Sequence, residues 1–184
     1  YSAGHADLDI TSDNPNESII REREEGTFML GDSGGFQIMK GQWPADWKDP
    51  NCPKAMKQRK KVLSWMDEYM DYGMCLDIPS MILMKTDLVD KHGITTIEEC
   101  KIATHINNDY FIHHRSGACK FLNVLQGQTH TQSDEWYEEF KMYADPAVYP
   151  DNHFNGWAFG GQNKIDIHLM LRRIVFLIHD GLLG

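Results

Sequence analysis

The sequence predicts an α/β protein built on a parallel sheet. A short apolar run is followed by a helix-period segment four times in succession, and each run is stopped by glycine or a polar residue. The acidic, amide and glycine residues stand just after a run and never before it. Alternating strand and helix favours parallel pairing with helices outside, in an open doubly wound sheet or a closed (β/α)8 barrel. In either, the loops following the strands gather on one rim.

Residues 1–26 are polar, carry Pro15 and alternate charge in "REREEG". They read as a mobile or irregular lead-in with one short helix, and residues 27–184 as the domain. "TFML", Thr27–Leu30, is a buried strand stopped by Gly31 and Asp32. "GQWPADWKDPNCP" holds three prolines in thirteen residues and is a loop, which Trp43 and Trp47 make a packed or ligand-covering one. From Lys54 to about Tyr72, Met56, Lys60, Leu63, Met66 and Met70 recur near helical spacing, with Lys57, Arg59 and Lys61 on the wetter side.

The second strand, Met74–Leu76, ends at Asp77 and is broken by Pro79. A helix follows over Thr95–His113, with Thr95 as N-cap and Glu98 three residues on, a capping box. Phe121–Leu125 is the third strand and ends in Gln126-Gly127. Ser133 caps the third helix, which carries Trp136, Phe140 and Tyr143 at helical spacing. The fourth strand, Gly156–Phe159, ends in Gly160-Gly161. The last helix runs from Lys164 to about His179, with Gly181 past its end.

Composition narrows the function. Hydrophobic residues at 41% supply a core, so disorder is excluded as the general state. Net charge is −9, from 27 acidic against 18 basic side chains, which argues against a coat protein held by a general positive field. No run approaches the ~18–20 apolar residues of a membrane span and no signal-peptide core is evident, so a soluble, intracellular protein is expected. Cys52, Cys75, Cys100 and Cys119 form no C-x-x-C pair or zinc spacing and read as free thiols in a reducing compartment. The adjacent His113-His114 pair points to different helix faces, and no metal site is expected within these residues.

Asp32 and Asp77 follow adjacent strands and suit acid, base, nucleophile or acceptor work; equally, each suits capping of the next loop. The glycines at 34, 35, 160 and 161 open room for close backbone approach to a flat ligand. Phe36 offers a ring face, and Gln126 an amide that both donates and accepts. A planar, hydrogen-bonding heterocycle such as a purine fits these parts. No phosphate-loop or dinucleotide glycine motif is present. "KQRKK", Lys57 to Lys61, reads first as the solvated side of a helix and second as a phosphate contact, and Arg172-Arg173 reads the same way.

"DSGGFQ" (Asp32–Gln37), "CLD" (Cys75–Asp77), "VLQG" (Val124–Gly127) and "GWAFGG" (Gly156–Gly161) stand in the order and approximate spacing of the tRNA-guanine (queuine) transglycosylase superfamily, which the chain resembles over about residues 28–184. The resemblance implies a (β/α)8 barrel of the TIM type, with about half of it present here. It implies exchange of guanine in nucleic acid for a 7-deazaguanine such as 7-cyano-7-deazaguanine. Asp32 would be the general acid/base, Ser33, Gly34 and Gly35 would shape the pocket, and Phe36 would stack on the base. Asp77 would receive the base's N–H groups and Gln126, followed by Gly127, would read its carbonyl. Gly160 and Gly161 would supply backbone donors.

The family's nucleophile is a further aspartate on a later strand, and its zinc motif is also downstream. Both are expected outside this sequence, so no cofactor is expected within it, and this segment alone is expected to be inactive without a longer chain or second subunit. The lead-in, "GWAFGG" and the Trp/Pro loop look more like a DNA-acting, phage-type branch than the tRNA enzymes. The implied partners are DNA or tRNA and a guanine-like base, with no membrane, in a bacterial or phage-infected cytoplasm. A non-catalytic base-binding or scaffolding subunit, tRNA modification of the queuosine type and a glycoside hydrolase are the alternatives.

Overall fold

A computed structural model describes residues 1–164 and 166–183. The protein is α/β, with four parallel strands in the order β1-β2-β3-β4: β1 (Leu30–Gly31), β2 (Tyr72–Met74), β3 (Lys120–Leu125) and β4 (Gly156–Phe159). The helices are α1 (Ser18–Arg21), α2 (Gly35–Met39), α3 (Pro53–Tyr69), α4 (Val89–His92), α5 (Ile97–His114), α6 (His130–Phe140) and α7 (Ile167–His179), joined by short 3-10 turns. The strand order never reverses, so right-handed crossovers place the connecting helices on one face. Accordingly α3 touches α5, α5 touches α6, and α6 touches α7.

Side-chain alternation sorts the sheet. Gly31, Gly73 and Phe121 share one row, and on β3 Asn123 and Leu125 follow Phe121 on the buried face. The paired glycines matter: a Cβ on Gly31 would stand 2.8 Å from Met70 Cγ, and one on Gly73 2.8 Å from Met66 Sδ. Their absence of side chains lets α3 press directly on β1 and β2. Phe111 and Phe121 meet edge to face at 5.1 Å, and Trp136 stacks on Phe140 at 4.7 Å, filling the layer between sheet and helices.

Several boundaries differ from the sequence expectation for physical reasons. β1 pairs only from Leu30, because the Asp71 carboxylate takes the Met29 N–H at 2.7 Å in place of a ladder carbonyl. β2 lies two residues earlier than expected: Cys75 N still donates to Leu122 O, but Asp77 N turns back to Cys75 O. The α5 cap is Thr96 rather than Thr95; its side chain accepts from Glu99 N, and the Glu99 carboxylate bonds Thr95. Thr129, not Ser133, caps α6, since Ser133 is buried inside the helix and donates to Asn163 Oδ1. α7 starts at Ile167 behind an Asp166 cap, and Gly181 has the positive φ expected past a helix end.

Two charge assignments are corrected. Arg59 lies on the core side of α3, not the wetter one; its Nε donates to Asn107 Oδ1 at 2.6 Å and its Nη2 to Trp47 O at 3.1 Å, while Lys60 is exposed. Arg172 and Arg173 both bond Asp134, and Arg173 is buried over the Phe176 ring at 4.3 Å, so neither is simply solvated. All four cysteines are free, three of them buried. Among the described residues no helix is long and apolar enough to cross a membrane.

The lead-in is docked rather than loose at its start. Ser2 forms a parallel bridge with Asp32, Asp32 N donates to Tyr1 O at 2.7 Å, and Ala3 N to Asp32 O at 2.8 Å. This short segment therefore covers the outer edge of the sheet beyond β1.

Candidate functional site

Asp32 follows β1 and is half-buried. Ser2 Oγ donates to its Oδ2 at 2.6 Å, in addition to the backbone bonds on either side. The next three residues fasten this loop to its surroundings. Ser33 Oγ donates to Cys75 O at 2.9 Å, strapping the β1 loop to the end of β2. Gly34 has φ +84°, and a Cβ there would stand 2.5 Å from the Trp43 ring and 3.1 Å from Gly4 N. Gly35 opens α2 with its Cα facing β2: a Cβ would stand 2.4 Å from the Asp77 carbonyl oxygen.

Asp77 is buried at the end of β2. Its N–H bonds Cys75 O two residues back at 2.9 Å, a tight turn of the kind that ends strands. From below, α5 holds both neighbours: Asn107 Nδ2 donates to Leu76 O at 2.7 Å, and Ile78 N to Thr104 Oγ1 at 2.9 Å. Across the sheet, Gln126 Nε2 at the end of β3 donates to Asp77 Oδ2 at 2.6 Å. Gln126 Oε1 accepts from Ser80 N at 3.3 Å and from Ser80 Oγ at 3.2 Å. This fixes which end of the amide faces the carboxylate.

The fourth strand completes the group. A Cβ on Gly160 would stand 2.3 Å from Gln126 Nε2, and one on Gly161 2.6 Å from Gln126 Oε1. The glycine pair after β4 is thus the wall against which the Gln126 amide lies. Residues after all four strands come together at one end of the sheet, as the sequence reading expects.

The electrostatics follow from burial. Desolvation pushes the Asp77 carboxyl up to about 7, the Gln126 hydrogen bond opposes this, and the negative charge of Asp32 adds to it. Asp77 therefore exchanges a proton near neutral pH while a second carboxylate stands within electrostatic reach. Such a pair can accept N–H donors from a ligand when ionised and return a proton when not.

Several roles expected from sequence look different in place. The Ser33 hydroxyl donates to Cys75 O and so ties the β1 loop to the chain after β2. Gly160 N donates to Leu125 O at 2.8 Å, which leaves that N–H engaged within the sheet. Gly127 has φ +130°, with Ser133 N and Cα 2.7 Å from a would-be Cβ, so its lack of a side chain admits α6. Phe36 keeps an exposed ring, capped by Lys40 Nζ at 4.6 Å. A cavity of about 600 Å³ lies elsewhere, between β4 and α7, where Trp157, Phe159 and Leu177 line it.

Ser2, Ser80, Thr104 and Asn107 were not foreseen. For two of them a signal exists: Cys100, Thr104, Asn107 and Phe111 share one helical face and are all fully buried, so the polar pair interrupts an apolar stripe. Ser33→Ala should cost about 1 kcal/mol by removing the Ser33 bond to Cys75 O, which keeps only its bond from Asp77 N, read as a lowered urea midpoint at constant slope. An unchanged midpoint would show the strap to be idle.

No protein family, curated protein or solved structure matches this chain.

Proposed function

We propose that this protein takes part in base exchange on nucleic acid, replacing guanine with a 7-deazaguanine, and that its four-stranded sheet forms part of a (β/α)8 barrel. The observation that carries the reading is the buried Asp77–Gln126 pair at 2.6 Å, flanked by Asp32 and walled by Gly160 and Gly161. A carboxylate accepting the paired N–H groups of a guanine edge is a strong, charge-assisted recognition element. Asp32, held by Ser2, is the group assigned to move protons on and off the base. Gln126 acts chiefly by orienting Asp77, because its oxygen is already shared by Ser80. The attack on the ribose is assigned to no residue of this chain. DNA is favoured over tRNA as substrate, on the resemblance alone.

Titration calorimetry with guanine and with 7-cyano-7-deazaguanine tests base binding, and incorporation of radiolabelled guanine into duplex DNA or tRNA tests exchange. Binding without incorporation would make the protein a base-binding subunit. No binding of either base would remove the reading.

The pH dependence has a definite sign. Guanine N–H groups need the ionised carboxylate, and Asp77 holds its proton up to about 7. Affinity should therefore weaken about tenfold for each pH unit below 7 and level off above it, the signature of one linked proton. Calorimetry between pH 5.5 and 8.5 reads this directly, and a flat profile would detach Asp77 from binding.

A further inference from the structure

We infer that the groove between the Trp43 loop and α3 is a track for the phosphodiester backbone of a polynucleotide, an inference that rests on the base-exchange reading for its choice of partner. The groove is about 360 Å³; Gln42, Trp43 and Trp47 of the loop and Lys54, Lys57, Gln58 and Lys61 of α3 line it, while Asp46 of the same loop lines a neighbouring depression that shares Lys54. None of its lining residues is acidic. In a chain of net charge −9 that is a local reversal of sign.

The lysines are placed for one linear polyanion. Lys54, Lys57 and Lys61 fall three and four residues apart on α3, so they share a face and span about 10 Å of helix axis. Along one nucleic-acid strand a charge recurs about every 3.4 Å of duplex axis, so the row can meet two or three successive phosphates. Among the described residues none of the three lysines is held in an ion pair, whereas Lys48, Lys101 and Lys141 all are. Lys54 and Lys57 keep their charge available for an outside partner, and Lys61, though close enough to Asp9 to favour its ionised form, is in no ion pair with it.

The groove is also joined to the candidate site. Trp43 lines it, and the far edge of the same indole lies over Gly34 in the Asp32 loop, 2.5 Å from where a Cβ would stand. α3 begins beside the loops at the strand ends and descends from there, so Lys54 is the lysine nearest the rim. A strand lying in the groove would pass beside the carboxylates with an aromatic ring between, the arrangement of cationic channel plus stacking surface that single strands use. Gln42 and Gln58 can add neutral donors to phosphate oxygens.

Fluorescence anisotropy with labelled single-stranded DNA, duplex DNA and a tRNA transcript, across 20–200 mM salt, tests this. Lys54→Ala/Lys57→Ala/Lys61→Ala should bind at least tenfold more weakly at 150 mM salt and lose about 2–3 from the slope of log affinity against log salt. Lys60→Ala/Lys120→Ala, which removes two exposed lysines outside the groove, should keep the wild-type slope. A triple variant with the wild-type slope, or wild-type protein that binds no polynucleotide at 20 mM salt, would overturn the inference. Guanine titrated into the same proteins separates the two readings. Lysine-dependent polynucleotide binding without guanine binding would sink base exchange and leave the groove; guanine binding with an unaltered slope would do the reverse.

Discussion

Asp77→Asn is expected to make the protein more stable and to abolish guanine binding, both from the same atom. Asp77 is buried, and desolvation holds its carboxyl at about 7 in the fold; an unfolded aspartate titrates near 3.9. Between those two pH values the native state binds more protons than the unfolded chain, so this residue's contribution to stability falls as pH rises. Above pH 7 the whole cost is present, with a ceiling on the order of 4 kcal/mol. Below pH 4 it vanishes. Asparagine removes the charge, keeps an oxygen for Gln126 Nε2, and places an amide beside the Asp32 carboxylate. A gain of about 1–3 kcal/mol at pH 8, shrinking toward zero at pH 4, is the expectation.

Guanine binding should move the other way. An amide N–H₂ facing the N–H donors of the base leaves donors unsatisfied and forfeits a charge-assisted bond, a loss of 100-fold or more in affinity on the order expected for such groups. Urea unfolding at the two pH values and calorimetry on the same preparations read both arms. A variant less stable than wild type by the same amount at both pH values would show that Asp77 is structural, held by its bonds and not kept for its charge.

The parts of this molecule legible in its sequence are those set by local chemistry. Apolar runs closed by polar or glycine residues marked the neighbourhood of all four strands; Gly156–Phe159 agrees to the residue because turn signals bound it on both sides, whereas the expected buried strand Thr27–Leu30 is paired only from Leu30 and leaves Phe28 and Leu30 exposed. Caps were harder, since neighbouring residues of one type compete: Thr95 and Thr96 are both plausible N-caps, and tertiary packing of Glu99 against Lys48 at 2.7 Å favours the second. Arg59 was misplaced because periodicity scores it as polar, while Asn107 and the Trp47 carbonyl, distant in sequence, receive it in the interior. The gathering of Asp32, Asp77, Gln126 and the two glycine pairs was legible from one rule, that residues after parallel strands share a rim. What each glycine admits was not legible, because it depends on which neighbour arrives: Trp43 at Gly34, the Asp77 carbonyl at Gly35, the Gln126 amide at Gly160. Ser2 left no trace at all, since its partner lies thirty residues away.

That difference among glycines yields opposite expectations for two similar substitutions. Gly35→Ala would drive a Cβ to 2.4 Å from the Asp77 backbone oxygen, with Pro79 Cδ 3.3 Å away, and neither is the end of a flexible side chain. The β1 loop would have to lift from the end of β2, straining the Ser33–Cys75 strap, so a loss of about 3 kcal/mol or more is expected. Gly160→Ala meets the Gln126 amide at 2.3 Å instead, the tip of a side chain that can rotate away. Stability should fall by only about 1–2 kcal/mol, mostly for Ser80 and Asp77 losing their shared partner. Guanine affinity should nevertheless collapse, because the displaced amide no longer orients the carboxylate that receives the base. Denaturation midpoints and calorimetry on the two variants give a cross pattern: one chiefly unstable, the other chiefly unable to bind. If both variants lost binding while keeping wild-type midpoints, the glycines would be clearing space for a ligand and not for the protein's own neighbouring groups.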